Sequence, residues 1–460
     1  MTVVLKKTIF ILSFRMNFKG VKILFQFLFA GILFSGCAGS RIRVDGARLE
    51  KYLSDREEKQ QDFCGFVLKD PESGKTIYNH HGERYFTPAS NTKILTLYAS
   101  KKMIGDSLPS VVTRVSEDTL FFSGTGDPTI LHPGFTYQPA FDYLSAAELP
   151  IVYVPGVFND ERFGPGWAWD DYPYAYSVEK SGFPIFGNVV RIKKQPYISE
   201  PEVFPAVLGK NVQLIFDSVP GQEQVVPYPV RQEFSNRFSL VYEDYGDFID
   251  ETIPFLSNDA LISELLEDTL RKEVLIGKEF PAGWPTVIYS QPTDSLLKPM
   301  MINSDNFFAE QLLIMCAWVL TDTLESGKAI DYARSNFFGK IEKDLYWVDG
   351  SGLSRYNKLT PDAVSEVLKM IYLEYGSDFI KGIFPEGGVS GTMKNNFPEL
   401  KNIVWAKTGS MSHVYNLSGY LVTKKGKWLI FSFMNNNFTV PPSGIRKEIT
   451  RVLLSVRNRF

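Results

Sequence analysis

The sequence predicts an α+β fold that contains an inserted, mostly β region. Helical and strand-like apolar patterns occur together near both ends of the 460-residue chain. Between about residues 110 and 257 only short strand-like segments are found, rich in proline, glycine and aromatic residues and without a helix-length pattern. The composition, 44% hydrophobic and 22% charged, is that of a globular protein. The length suggests two or three domains.

The N-terminal part of the folded chain is predicted to be a β-hairpin followed by a helix. Residues 47–59 have helix character, and Phe63–Leu68 and Lys75–Tyr78 are predicted strands joined by a Pro-Glu-Ser-Gly turn. The apolar spacing after this hairpin predicts a buried helix that starts near Ser90 and ends at Gly105.

Amphipathic helices resume after the β-rich stretch. Asn258–Glu273 carries leucines on one stripe, and further helices are predicted at about 308–319 and 361–374. The last of these has Thr360 as its N-cap and Pro361 at its first helical position. The chain then ends in predicted strands at Ile403–Lys407, Asn416–Val422 and Lys427–Met434.

Residues 1–37 are predicted to be a signal peptide that is absent from the folded protein. They contain basic but no acidic residues, an apolar run from Ile23 to Phe34 and the ending Ser35-Gly36-Cys37. The run is shorter than the roughly 20 residues that span a bilayer. Its end is similar to a bacterial lipobox, in which Cys37 would be the lipidated N-terminus; a plain signal peptide that happens to contain a cysteine is the alternative. Either Met1 or Met16 could begin it.

Charge and residue counts argue against several classes of function. The formal net charge of −3 offers no footprint for nucleic acid. The four histidines form no H-E-x-x-H motif and no cluster with cysteine, so neither a metal nor another cofactor is predicted. Two cysteines remain after the signal peptide, Cys64 and Cys316. They would be either a disulfide, which an oxidising compartment permits, or two buried free thiols.

Three short motifs carry the chemistry: Ser90-Asn91-Thr92-Lys93, Ser304-Asp305-Asn306 and Lys407-Thr408-Gly409. Residues three apart on a helix share a face, so Lys93 is predicted to reach the Ser90 hydroxyl. A serine becomes a strong nucleophile when a neighbouring base takes its proton, and an amine in an apolar, cation-rich site can be that base. Each motif alone is weak, because surface Ser, Lys and Asn are common. All three in this order, with fitting local structure, are a strong signal.

The triplet resembles the signature of the serine penicillin-recognising enzymes, which comprise β-lactamases and penicillin-binding proteins. Further segments narrow the resemblance to the low-molecular-mass class C penicillin-binding proteins, the D-alanyl-D-alanine carboxypeptidase/endopeptidase family S13. These segments are Gly124–Pro128, Gly164–Asp171, Asp349–Arg355, Gly391–Lys394 and Lys407–Tyr420. The resemblance covers most of residues 60–190 and 290–437.

This resemblance implies the fold of serine β-lactamases and DD-peptidases, in which an antiparallel sheet is flanked by helices. The penicillin-binding domain would comprise residues 45–109 and 286–460. Residues 110–285 would form the inserted, mostly β region, divided into two small subdomains. The stretch from about 190 to 285 contains no motif of the family, so the resemblance implies no role for it.

The resemblance also implies a role for each catalytic residue. Ser90 would be the acylated nucleophile and Lys93 its proton acceptor. Ser304 would relay protons, and Asn306 would hold the substrate amide. Lys407, on an edge strand, would add positive charge beside Ser304.

Substrate binding is implied for residues at the end of the third motif and for one distant carboxylate. Thr408 and Ser410 would grip the terminal carboxylate of the peptide, and Gly409 would let a ligand backbone approach the strand. Backbone N–H groups of Ser90 and Ser410 would form the oxyanion hole. Asp171, or else the aspartate before it, would bind the side-chain amine of a diamino acid; an aspartate that caps a turn beside two core tryptophans is the alternative.

The implied activity is that of a lipid-anchored, periplasm-facing serine hydrolase that cleaves D-Ala-D-Ala or D-Ala–diamino acid bonds of peptidoglycan and is inhibited by penicillin. Its partners would be peptidoglycan peptides, β-lactams and the membrane that holds its anchor. A β-lactamase is one alternative, although no motif marks the dedicated deacylating glutamate that some of those enzymes use. A non-catalytic wall-binding protein is another, and the intact motif residues argue against it.

Overall fold

The computed structural model of the protein describes residues 46–216, 228–242 and 246–460. The predicted signal peptide, including Cys37, lies outside these ranges. Residues 46–60 form a helix rich in charged residues, α1, almost all of which belongs to a unit of its own, Met1–Lys59. Within the described ranges, no helix combines the length and the apolar character needed to cross a membrane.

The strands of the described residues are, in chain order, β1 Phe63–Lys69, β2 Thr76–His80, β3 Ser107–Ser116, β4 Thr119–Gly124, β5 Ile151–Tyr153, β6 Val189–Lys194, β7 Glu202–Phe204, β8 Val212–Phe216, β9 Tyr228–Arg231, β10 Phe238–Tyr242, β11 Ile249–Pro254, β12 Val274–Ile276, β13 Thr286–Pro292, β14 Leu345–Tyr346, β15 Lys358–Leu359, β16 Val404–Met411, β17 Val414–Val422 and β18 Trp428–Asn436. The α-helices that follow α1 are α2 Lys93–Ile104, α3 Pro139–Ala146, α4 Asp259–Leu270, α5 Thr293–Ile302, α6 Asn306–Thr321, α7 Ser326–Asn336, α8 Pro361–Ile383 and α9 Pro442–Arg459.

The main sheet is antiparallel and joins strands from distant parts of the chain. Its strands lie in the order β16-β17-β18-β1-β2. β1 pairs along its whole length with β18, so that Phe63 lies opposite Asn436 and Lys69 lies opposite Ile430. β16 pairs with β17 over all eight of its residues and forms one edge of this sheet. The strand that carries Lys407 is therefore an edge strand, as predicted.

One hydrophobic core fills the space between the main sheet and the helices packed on it. It contains residues of α2, α5, α6 and α8 together with Trp405 and Tyr420 from the sheet. Helix α6 is buried at every position from Phe307 to Ala317, as expected for a helix that is apolar on nearly all sides. The helix that begins at Asn306 is therefore held firmly in the core.

The inserted region has sheets and a hydrophobic core of its own. One sheet has the order β12-β5-β4-β3-β13, and two three-stranded sheets have the orders β11-β6-β7 and β8-β10-β9. The buried members of the second core all lie between Val111 and Val274. Because β3 begins at Ser107 and β13 ends at Pro292, the first sheet extends beyond the boundaries predicted at 110 and 285. The division into domains stays a prediction.

Several elements differ from the sequence-based expectations. The expectation of no helix between 110 and 257 is wrong, because α3 lies there; only Ala140 and Leu144 of its eight residues are buried, too few for a visible apolar stripe. The chain ends in α9 rather than in a strand. Of the two alternatives for the cysteines, the thiols are present: Cys64 and Cys316 are buried and no disulfide joins them.

Candidate active site

Ser90 and Lys93 meet at the start of α2. Ser90 lies in a 3-10 turn, Ala89–Thr92, and Lys93 is the first residue of the α-helix. The Nζ atom of Lys93 is 3.2 Å from the Oγ atom of Ser90, as the three-residue spacing predicts. Ala89, directly before the serine, has a left-handed φ of 47°. Such backbone strain in a non-glycine residue is uncommon and clusters at functional turns.

Lys93 is held by two groups that can only accept hydrogen bonds. Its Nζ atom donates to the side-chain oxygen of Asn306 at 2.6 Å and to the backbone carbonyl of Ser351 at 2.7 Å. When two N–H groups are used in this way, the lone pair of a neutral amine is left for the Ser90 hydroxyl. Complete burial lowers the pKa of Lys93 to about 8, although the charge of Asp349 acts in the opposite direction.

The second motif lies between two helices. Ser304 follows α5 and has a φ of 63°. Asp305 is the N-cap of α6, because its side chain accepts a hydrogen bond from the backbone N–H of Phe308 at 2.9 Å. Asn306 is therefore the first residue of α6, and its Nδ2 atom donates to the backbone carbonyl of Tyr176 at 2.8 Å. Both the oxygen and the nitrogen of the Asn306 side-chain amide are therefore hydrogen-bonded.

Lys407 closes the site from β16. Its Nζ atom donates to the Oγ atom of Ser304 at 2.8 Å and to the backbone carbonyl of Thr408 at 2.9 Å. Burial, followed by the positive charge of Lys93, holds the pKa of Lys407 well below its usual range. Burial and a nearby ammonium ion both disfavour the charged form of Lys407.

The turn before α2 is fastened to the main sheet. The side-chain amide of Asn91 donates to the carbonyl of Lys407 at 2.9 Å, and the amide of Asn416 donates to the carbonyl of Pro88 at 2.8 Å. A Cβ atom at Gly409 would lie 2.4 Å from the Pro88 carbonyl oxygen. The close approach that requires glycine on this strand is thus made by the protein's own turn, whereas the sequence suggested a ligand.

Thr408 and Ser410, the two residues predicted to bind the terminal carboxylate, lie on the same strand as Lys407. Thr408 is buried, and its Oγ1 atom is 2.7 Å from the Oγ1 atom of Thr392. Ser410 is exposed. Predicted residues from all three motifs are therefore brought together around the Ser90 hydroxyl, with Thr408 and Ser410 following Lys407 along the edge strand.

The family is decided by a comparison of the whole sequence. The profile of the D-Ala-D-Ala carboxypeptidase 3 (S13) family matches residues 46–455. The chain belongs to the S13 family. The predicted fold is confirmed as well: the crystal structure of penicillin binding protein 4 from Haemophilus influenzae superposes on this S13 chain with a TM-score of 0.73 at 22% identity, covering 88% of this chain and 99% of that chain.

Two known carboxypeptidases are similar to this chain along most of their length. The D-alanyl-D-alanine carboxypeptidase DacB of Haemophilus influenzae is 25% identical over 419 residues, which is 82% of this chain and 85% of that protein. The D-alanyl-D-alanine carboxypeptidase of Actinomadura sp. (strain R39) is 26% identical over 88% of this chain and 85% of that protein.

A buried turn that contains Asp349 and Ser351 lies against the site. Asp349 accepts hydrogen bonds from the backbone N–H groups of Gly352 and Ser354 at 2.8 and 2.7 Å. Glu310, from α6, accepts one from the N–H of Ser351 at 2.7 Å. These two carboxylates shape the turn so that the Ser351 carbonyl meets the lysine.

Glu310 is the contact that sequence reasoning missed. It is buried in a largely apolar helix, and burial followed by the charge of Asp349 raises its pKa. A carboxylate at a buried helix position one turn after Asn306 is the signal that could have revealed it, because buried charged groups need partners.

The structure places Asp171 beside the S13 motifs but outside their direct hydrogen bonds. It ends a 3-10 turn, Trp169–Asp171, and accepts a hydrogen bond from the hydroxyl of Tyr176 at 2.7 Å. Tyr176 in turn accepts from Asn306 through its backbone carbonyl. Trp169 is 80% exposed, so the alternative, in which the aspartate lies beside two core tryptophans, is wrong about this tryptophan. Trp167 is partly buried, and its indole N–H donates to Asp349 at 2.9 Å.

Proposed function

We propose that the protein is a serine DD-carboxypeptidase that acts on peptidoglycan stem peptides through an acyl-enzyme at Ser90. The observation that carries the proposal is the environment of Lys93. Its Nζ atom donates two hydrogen bonds to oxygen atoms that can only accept, and its third contact is with the Oγ atom of Ser90. Membership of the S13 family and the carboxypeptidase names of its relatives support the same activity.

Acylation begins when neutral Lys93 takes the proton of the Ser90 hydroxyl. The serine oxygen attacks the carbonyl carbon between the two D-alanines and forms a tetrahedral intermediate. The C–N bond then breaks, and the proton that Lys93 took from Ser90 passes to the leaving amine through Ser304, whose Oγ atom is hydrogen-bonded to Lys407, so that Lys93 is neutral again. The products of this step are free D-alanine and an ester of Ser90.

Deacylation reverses the roles with water as the nucleophile. A water molecule loses a proton to the same base and attacks the ester carbonyl. The C–O bond to Ser90 breaks, and the serine oxygen regains a proton from Lys93. The products are the shortened peptide, which ends in a carboxylate, and the free enzyme.

Substrate is held by groups along β16 and at the start of α6. Thr408 and Ser410 bind the terminal carboxylate, and Asn306 holds the peptide amide. Backbone N–H groups of Ser90 and Ser410 receive the negative charge of the tetrahedral oxygen, an effect for which one lost donor typically costs about 3 kcal/mol. Gly409 keeps the strand close to the serine turn.

We extend the proposal to endopeptidase activity on cross-linked peptides through Asp171. In a cross-link the side-chain amine of one diamino acid is part of the scissile amide, whereas the diamino acid of the stem peptide that acylates Ser90 keeps a free, charged side-chain amine. Asp171 is partly buried and linked through Tyr176 to Asn306, so it is close enough in the hydrogen-bond network to select such a side chain. A carboxylate–ammonium hydrogen bond contributes about 1.5–3 kcal/mol.

Penicillin is proposed to acylate the same serine and to be released slowly. A β-lactamase would instead turn over a chromogenic cephalosporin such as nitrocefin promptly and continuously. A non-catalytic wall-binding protein would remain unlabelled by a fluorescent penicillin. These two measurements separate the three functions.

The experiment that tests the proposal is digestion of purified peptidoglycan with analysis of the products by mass spectrometry. Wild type should release D-alanine from pentapeptides, and Ser90→Ala should not. Ser295→Ala is a matched control, because Ser295 also precedes a lysine by three residues in a helix but lies outside the hydrogen-bonded site. Release of D-alanine by Ser90→Ala would contradict the proposal.

We also propose that the protein is exported and anchored to a bacterial membrane by lipid on Cys37, facing the periplasm. The support is the sequence pattern of residues 1–37, and two or more acyl chains give stable anchoring. Wild type should enter the detergent phase after phase partitioning, whereas Cys37→Ser should be soluble or unprocessed. Wild type in the aqueous phase would contradict the anchor.

A further inference from the structure

The segment from Phe158 to Asn188, here called the groove segment, forms one side of the candidate site. Its Tyr176 accepts a hydrogen bond from Asn306, and its Trp167 donates one to Asp349. Apart from short turns, it contains no regular element. What holds it in place therefore bears directly on how substrate is selected.

On its other side, the groove segment contacts a buried arginine of the inserted region. Arg231, the last residue of β9, is completely buried, and it donates to the carboxylate of Glu179 at 2.7 Å and to the carbonyl of Pro254 at 3.1 Å. Its guanidinium also lies over the ring of Tyr172, 5.3 Å from the ring centre. Two residues of the groove segment, Tyr172 and Glu179, are thus held by one side chain.

The turn after β9 also contacts the groove segment. Arg162, in the groove segment, donates to the carbonyl of Glu233 at 3.1 Å and lies over the ring of Phe234 at 5.2 Å. Arg162 is also 3.5 Å from Glu179. The β9–β10 hairpin, Tyr228–Tyr242, therefore contacts the groove segment through charged groups of both.

We infer that Arg231 is a positioning residue for substrate selection, which it controls through the groove segment. Tyr172 follows Asp171 directly in the chain, and Glu179 lies three residues after Tyr176. Arg231 therefore holds the segment on either side of the Asp171–Tyr176 hydrogen bond. The inference rests on the proposed function and assigns a role to the part of the inserted region for which the sequence implied none.

Ser90 and Lys93 are held by other contacts. The Nζ atom of Lys93 donates to α6 and to the turn at Ser351, and Asn91, next to Ser90, donates to the strand β16. None of these hydrogen bonds passes through the β9–β10 hairpin. Loss of Arg231 should therefore disturb peptide selection while leaving the chemistry at Ser90 intact.

The test compares Arg231→Met with the double variant Arg231→Met/Glu179→Met. The single change leaves a buried carboxylate without its main partner, which strongly destabilises a protein, whereas replacement of both partners by apolar residues is usually tolerated. The double variant therefore keeps the test decisive if the single variant does not fold. Arg191→Met is the matched control, because Arg191 is 58% exposed and its ion-pair partner, Asp250, lies outside the groove segment.

Three assays are made on each folded variant: penicillin acylation of Ser90, steady-state kinetics (kcat and KM) with peptides that carry a free diamino side chain, and hydrogen exchange by mass spectrometry. We expect unchanged acylation, a rise of about tenfold in KM with little change in kcat, as for one lost charge-assisted hydrogen bond, and faster exchange in residues 163–176. Arg191→Met should match wild type in all three.

Unchanged KM and unchanged exchange in the Arg231 variants would overturn the inference. A parallel loss of acylation and peptide turnover would overturn it too, because Arg231 would then support the fold in general. If wild type itself is not acylated, the proposed function has failed, while faster exchange in residues 163–176 would still establish the physical link.

Discussion

The side-chain amide of Asn306 lies 2.6 Å from the Nζ atom of Lys93. Because an ammonium and an amine can both donate to Oδ1, this contact is kept in either protonation state of the lysine. The opposite end of the same amide donates to the groove segment. The Asn306 side chain therefore links Lys93, the proposed base, to the proposed substrate side of the site. Because this side chain carries no charge, it does not stabilise the charged form of Lys93, and the lysine can lose a proton.

We predict that Asn306→Asp slows acylation of Ser90 at neutral pH. A carboxylate at this position favours the charged form of Lys93 and raises its pKa above the value of about 8. Each unit of increase removes about tenfold of the neutral amine at a given pH below the pKa. The measurement is the rate of penicillin adduct formation by intact-mass spectrometry across pH, and a midpoint at or below that of wild type would contradict the prediction.

We predict that acylation of wild type rises with pH and levels off above about pH 8. Only neutral Lys93 can take the proton of Ser90, and burial lowers the pKa of this lysine to about 8. Below that pH the neutral fraction, and with it the rate, should fall about tenfold per unit. Lys93→Arg is the control, because arginine stays protonated at every accessible pH; it should form adduct very slowly and without this pH dependence.

We predict that Gly352→Ala impairs both stability and acylation. Gly352 has a φ of 80°, and a Cβ atom there would lie 1.9 Å from the carbonyl oxygen of Ala89, the residue before the proposed nucleophile. The change should cost about 2–4 kcal/mol of unfolding free energy, the sum of backbone strain and steric displacement. Urea denaturation measures the loss.

The matched control for this prediction is Gly426→Ala. Gly426 has a similar φ of 77°, but nothing lies within 4 Å of the added atom. This variant should lose only about 1–2 kcal/mol of unfolding free energy, because of left-handed backbone strain, and should be acylated like wild type. Equal behaviour of the two variants would mean that the contact with Ala89 is unimportant.

We predict that Asp171→Asn lowers selectivity for peptides with a free diamino side chain. The change removes the negative charge but keeps an acceptor for the Tyr176 hydroxyl, so the turn should be preserved. The value of kcat/KM for such peptides should fall by roughly 10- to 150-fold, while penicillin acylation is unchanged. Asp170→Asn, at the exposed neighbouring position, serves as control, and an equal loss in that variant would place the contact at Asp170.

The parts of the site that follow from local spacing could be predicted from the sequence. The contact between Ser90 and Lys93 needs only three residues of helical turn, and the cap at Asp305 needs only the next turn of α6. The strands β16, β17 and β18 pair in sequence order. In each case the partners are near in the chain, so a short pattern contains both.

The remaining contacts could not be predicted, because their partners are distant in sequence and belong to no shared motif. Glu310 meets the N–H of Ser351 across 41 positions, and Arg231 meets Glu179 across 52. The parallel pairs of β5 with β4 and β12 also depend on how separate segments assemble. Periodicity records that a residue is buried, but it does not identify the residue that contacts it.

The order of strands in the main sheet bears on how the protein is made. β1 pairs with β18, which ends at Asn436, and β17 pairs with the other side of β18. During synthesis the chain emerges from its N-terminus, so Ser90 is available long before β18 and Lys407 exist. Until nearly the whole polypeptide has been translated, the serine lacks the strands against which its turn is fixed. A prematurely terminated product would therefore be an inert protein rather than an unregulated hydrolase, and late, long-range pairing of this kind also slows folding.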